Sequence, residues 1–71
     1  VKGPHRARLA KRIKKLRLAK KISQEALALS SGLHRNVPGK LERGQHDPTF
    51  TTLVKLAHGF GISLSELLKG I

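Results

Sequence analysis

The chain has no cysteine, methionine, tryptophan or tyrosine, and only two aromatic rings, Phe50 and Phe60. Without cysteine there is neither a disulfide framework nor a thiolate metal site. So few rings argue against single-strand binding by base stacking, which needs exposed aromatics along a groove. No apolar run approaches the ~18 residues of a membrane span, and nothing at the N-terminus resembles a signal peptide. The expectation is a soluble, cytoplasmic protein in a reducing compartment, with no membrane partner. The lack of an initiating Met points to an excised or tagged fragment, whose parent is expected to extend past Ile71.

Acid is scarce as well. Four Asp and Glu stand against 15 Lys and Arg, a formal charge of +11 on 71 residues. Ten of those bases, from Lys2 to Lys21, precede the first acid, Glu25. Such an imbalance calls for an anionic partner, nucleic acid or an anionic membrane surface, and composition does not separate the two. A chain of this length makes one domain burying only about 60% of its unfolded surface, so modest stability is expected. His5, His34, His46 and His58 lack metal-ligand spacing, and Asp47 is the only Asp. No nucleophile, base and orienter can be assembled, so neither an enzyme, a metal nor a cofactor is expected.

What is present is a series of short amphipathic segments. Residues 1–5, VKGPH, read as a disordered basic lead, and residues 6–71 as the domain. Leu9, Ile13 and Leu16 recur at helical spacing, which predicts a first helix from Arg6 to Lys20. Ser23 is a cap for a second, Gln24 to Ser30, with Glu25 opposing its positive end. Gly32 can take the left-handed conformation that stops it, with Leu33 packing back. A third helix carries Leu41 inward and ends before Gly44. Thr49 caps a fourth, whose broad apolar face includes Phe50, Leu53, Val54, Leu56, Ala57 and Phe60, and Gly61 ends it. Ser63 and Glu66 form a capping-box pattern for a brief fifth. The expected class is all-α, a compact five-helix domain.

A glycine turn between the second and third helices is the arrangement of a helix-turn-helix, in which the second helix of the pair enters the major groove. Here a resemblance becomes specific. The segment Leu16 to Leu68, with SQEALA, SG, KLERG, LVKLA and GISLSELL in order and spacing, resembles the phage-repressor and Cro-type family, also called XRE-like. It covers about three quarters of the chain. The resemblance implies a lambda-repressor-like fold in which Gln24 braces a phosphate and His34, Arg35, Asn36 and Lys40 face base edges. It also implies a partly buried bridge between Arg17 and Glu42.

The chemistry of the residues agrees. Arg offers two donors to guanine O6 and N7, Asn pairs both ways with adenine N6 and N7, and Val37 fits a thymine methyl. Gln24, Arg43, Gln45 and the amides at the second helix start suit phosphates, and Arg6 and Arg8 suit an arm reaching a backbone or minor groove. The bland reading of each is a solvated face, and Lys11, Lys14, Lys15 and Lys21 are assigned to solvated charge. Leu27, Leu41, Leu53, Leu56, Phe50 and Phe60 are assigned to the core.

Pro38 departs from the family pattern. With His34 as cap it falls at the fourth helical residue and loses a hydrogen bond. With Asn36 or Val37 as cap it falls at the first or second, where it is tolerated. The delayed start is favoured, and replacing Pro38 by Ile is expected to raise stability and operator affinity. Lys21 stands where the family often has Gly, so the turn either avoids positive φ or bears its cost. Gly59 in the fourth helix is expected to cost about 1 kcal/mol of propensity. The expected function is sequence-specific double-stranded DNA binding by a transcriptional regulator, a repressor acting as a homodimer on a palindrome and pairing near Phe60 to Ile71. The alternative is an antitoxin-like or multi-domain module whose main role is protein partner binding.

Overall fold

The computed structural model describes residues 4–71. In chain order α1 is Pro4–Ala19, α2 Gln24–Ser31, α3 Val37–Glu42, α4 Phe50–Phe60 and α5 Leu64–Leu67. No strand occurs among the described residues, and none of their helices is long and apolar enough to cross a membrane. α1 begins two residues before Arg6. Pro4 takes its first position, where a fixed φ favours helix entry and the missing N–H would have had no intrahelical acceptor. Pro4 and His5 are therefore helical, not part of a disordered lead, and residues 1–3 lie outside the described residues.

Three helices start on side-chain caps. Ser23 Oγ accepts from the Ala26 amide at 3.0 Å, Thr49 Oγ1 from Thr52 and Ser63 Oγ from Glu66, both at 3.1 Å. Each satisfies one of the amides that a helix start leaves without a partner. α2 and α4 end alike. Gly32 and Gly61 turn left-handed at φ 68° and 73°, and the next amides, of Leu33 and Ile62, donate back to Ala28 and Ala57 at 2.9 and 3.0 Å. Leu33 and Ile62 then pack on the core, completing the glycine stop.

Ile13, Leu27, Leu56, Phe60 and Leu67 form the fully buried centre, joined by Leu9, Leu41 and Ala57. Leu53 is half-buried against it. Phe50 is not core as expected but 70% exposed. It is the first residue of α4, and side chains lean toward a helix N-terminus, so its ring lies beyond the packed part of that face; Val54 is also exposed, at 41%. Gly59 is also better placed than its propensity suggests. A Cβ there would lie 2.0 Å from Ser31 Oγ and 3.0 Å from Ser31 Cα, so its absence is what lets α2 and α4 approach. Lys21 does adopt positive φ, at 57°, accepting the cost that Gly would avoid.

Candidate nucleic-acid interface

α3 has the weakest local sequence of the helices, six residues reading VPGKLE. The delayed start holds: Asn36 is the N-cap, with no side-chain cap bond, and Pro38 sits at the second helical position. Its missing N–H therefore breaks no intrahelical bond. The His34 carbonyl accepts instead from Val37 N at 3.0 Å, and His34 Nδ1 accepts from the Asn36 amide at 3.2 Å. The chain thus makes one extra turn, closed by His34, before the helix proper. Pro38 is fully buried, so it also fills the inward position that a large aliphatic would occupy.

α3 is fastened mainly from outside itself. Arg17 of α1 grips Glu42 with two bonds, Nε to Oε2 at 2.7 Å and Nη2 to Oε1 at 3.0 Å, while its Nη1 donates to the Ile22 carbonyl at 2.9 Å. Gln24 at the start of α2 donates to Glu42 Oε1 at 3.1 Å. One carboxylate therefore ties together the end of α1, the start of α2 and the end of α3. The Glu42 side chain is only 4% exposed, so this charge depends on those donors. The hydrogen bond from Arg17 to Glu42 leads the causes that raise the Arg17 pKa above its ordinary value. Gly39 packs tightly under this junction, since a Cβ there would lie 3.1 Å from both Gln24 Oε1 and Arg43 Nη1, and those side chains would have to shift by a few tenths of an ångström.

This lock leaves His34, Arg35, Asn36 and Lys40 exposed around the entrance and outer face of α3. Asn36 and Lys40 are four apart, hence on one helical face. At the exit, Gly44 turns at φ 68° and Gln45 N donates to the Lys40 carbonyl at 3.0 Å. Arg43 Nε meets Gln45 Oε1 at 3.1 Å, with both residues exposed. A cationic and amide-bearing edge, carried on two short helices joined at a left-handed glycine, suits a polyanion whose base edges present donors and acceptors.

A Helix-turn-helix family model matches residues 13–67. The chain belongs to the XRE-like helix-turn-helix family of DNA-binding regulators. It is 40% identical over 60 residues to control protein C.SmaI of Serratia marcescens, covering 84% of this chain and 71% of that protein. It is 42% identical over 59 residues to YonR, an uncharacterized prophage-derived HTH-type transcriptional regulator of Bacillus subtilis, covering 83% of this chain. The match spans 55% of the length of YonR. Among solved structures, the restriction-modification controller protein C.AhdI from Aeromonas hydrophila matches with a TM-score of 0.83 and 40% identity, covering 87% of this chain and 94% of that one.

Within this helix-turn-helix the expected residues divide. His34, Arg35, Asn36, Lys40, Arg43 and Gln45 are exposed, whereas Val37 is half-buried against the core. Gln24 is half-buried and commits one amide N–H to Glu42. Arg6 is no free arm. It lies within α1, donates through Nε to Asp47 Oδ1 at 2.7 Å and reaches the Gly44 carbonyl, clamping α1 to the loop after α3. Arg8 is likewise helical and exposed, on the solvent face of α1.

The reading of the residues also missed a clamp. Arg12 donates to the Glu66 carbonyl at 2.7 Å, to Glu66 Oε2 at 3.1 Å and to the Leu67 carbonyl at 3.3 Å, joining α1 to α5. Its partners are more than 50 positions away, so no local spacing could have signalled it.

Proposed function

We propose that this regulator reads double-stranded DNA with His34, Arg35, Asn36 and Lys40 at base edges, and grips phosphates with Arg43, Gln45 and the amides that open α2. The observation that carries this is the three-way tie at Glu42, which holds α3 against α2 at a fixed angle while leaving those four side chains outward. The resemblance to controller proteins, which are regulators, supports it. The operator is a two-fold palindrome bound by a homodimer, with half-sites about 34 Å apart. A domain measuring 28 × 23 × 22 Å fits that spacing with its copies nearly touching. Phe60 and Leu67 are wholly buried, so from the expected pairing surface half-buried Ile62, Leu64 and Leu68 remain, while Ile71 borders the groove beside α1.

The role is regulatory and cytoplasmic, as the resemblance to HTH-type transcriptional regulators and control proteins supports. A protein-partner role has one observation in its favour, the exposure of Leu29 (84%) and Phe50. The test is selection of bound sequences from a random duplex pool. A two-fold symmetric consensus that loses definition in Arg35→Ala upholds the reading, and the absence of any consensus removes it in favour of partner binding.

A further inference from the structure

A strongly basic groove lies on the far side of α1 from α3. About 290 Å³ in volume, it runs between α1 and the C-terminal turn, lined by Arg8, Lys11, Arg12, Lys15, Lys69, Gly70 and Ile71. Arg12 is committed to Glu66 and to two carbonyls, and Glu66 is thereby occupied. Arg8, Lys11, Lys15 and Lys69 have no ion pair among the described residues, and no acid lines the groove. On α1, Arg8 and Lys11 are three apart and Lys11 and Lys15 four apart, arrangements in which like charges oppose helix formation. The fold accepts that repulsion with no acid paired to these residues among the described residues.

The groove is separated from the reading face by α1 itself. Ala7 and Ala10 look toward Glu42, Arg43 and Gly44, and Arg17 toward Glu42, whereas Arg8, Arg12 and Lys15 border the α5 side and Lys11 borders both flanks. On the DNA-binding reading of α3, the duplex lies on the α3 side of α1 and leaves the α5 side free. Arg8 and Lys15 are seven residues apart, roughly 10 Å along the axis, so the row is long enough to meet successive phosphates of one strand. A lipid surface is the poorer fit, since α1 exposes no aromatic and only Leu18 among large apolar residues.

We propose that this groove is a second nucleic-acid site, which takes the sugar-phosphate backbone of another duplex segment without reading its sequence, so that the protein can hold two DNA segments together. The proposal rests on the DNA-binding reading of the α3 face but is separable from it. The probe is a mixed-sequence duplex on beads and a second, labelled mixed-sequence duplex in solution, coupled by the protein at moderate salt. The quadruple variant Arg8→Gln, Lys11→Gln, Lys15→Gln, Lys69→Gln is expected to lose coupling by about tenfold or more, with a shallower salt dependence. Its sequence preference in the random pool should be unchanged, and its melting temperature unchanged or higher. A variant with Lys11→Arg, Lys15→Arg and Lys69→Arg should couple normally.

Full coupling by the quadruple variant overturns the proposal. So does a variant that couples normally but fails to sediment with phosphatidylserine vesicles that the unaltered protein binds, because the groove would then be a lipid site. Failure of the α3 assignment has a different signature, an Arg35→Ala, Lys40→Ala variant that keeps its sequence preference whatever the groove does.

Discussion

α4 and α3 are built by opposite means. α4 carries its own instructions, with a threonine that caps its start, a broad apolar face and a left-handed glycine that ends it. α3 contains a proline and a glycine within six residues and no side-chain cap of its own. It is held by Arg17 from α1 and Gln24 from α2, converging on Glu42. On the proposed reading, the DNA-contacting side chains stand on the element least able to form alone, whose angle is set by the surrounding fold. The price is that its integrity hangs on one carboxylate.

The largest expected effect comes from cutting that tie. Arg17→Ala leaves Glu42 shielded from water without its main partner, which should cost about 3 kcal/mol and weaken DNA binding in step. A thermal melt in which Arg17→Ala loses no more than a cap deletion would erase the contrast between the two helices. Pro38→Ile now carries an expectation opposite to the one drawn from sequence. At the second helical position no hydrogen bond is regained, and a larger side chain must enter a filled site, so a loss of about 1–3 kcal/mol is expected in denaturant titrations.

α4 depends on its neighbours at one place. Gly59→Ala should cost about 1–3 kcal/mol despite better helix propensity, because Ser31 blocks the new methyl, and a stabilised variant would show that α2 and α4 are not packed as described. The sharpest comparison pairs two caps. Thr49→Ala should lose about 1 kcal/mol of stability with little change in sequence preference. Asn36→Ala should leave stability nearly untouched but forfeit about 1–3 kcal/mol of base discrimination. Equal melting losses in both would mean that Asn36 caps α3 after all.

The smallest effect concerns pH. The Asp47 carboxyl is held below its ordinary value, first by the hydrogen bonds it accepts from Arg6 and then by the Arg6 charge, against an opposing contribution from burial. A lowered pKa in the folded state means the clamp stabilises the fold at and above the ordinary carboxylate range, and is lost as pH falls through the lowered value. Melting temperatures of the unaltered protein and Asp47→Asn should differ at neutral pH and converge in acid. A constant gap would place the stabilisation elsewhere.

The caps at Ser23, Thr49 and Ser63 and the stops at Gly32 and Gly61 were legible because the side chain or backbone conformation responsible acts within a few residues of its own position. The helix-turn-helix and the tie between Arg17 and Glu42 were legible from the resemblance, which stores long-range pairing in motif spacing. Arg6 and Arg12 were misread or overlooked, since a guanidinium on a basic helix looks the same in sequence whether it meets solvent, DNA or an acid 41 or 54 positions away. Phe50 was misassigned because periodicity fixes an angle around a helix and not whether anything covers its end.

Sequence by itself determined that the chain forms short helices, where most of them begin and end, and that its charge seeks a polyanion, because capping, glycine geometry and net charge are local or additive. Only the tertiary structure decided which arginines are consumed as clamps, why Gly59 has no room for a side chain, and how α3 is held. Those depend on distances between segments far apart in the chain, which close packing sets and no short stretch of residues encodes.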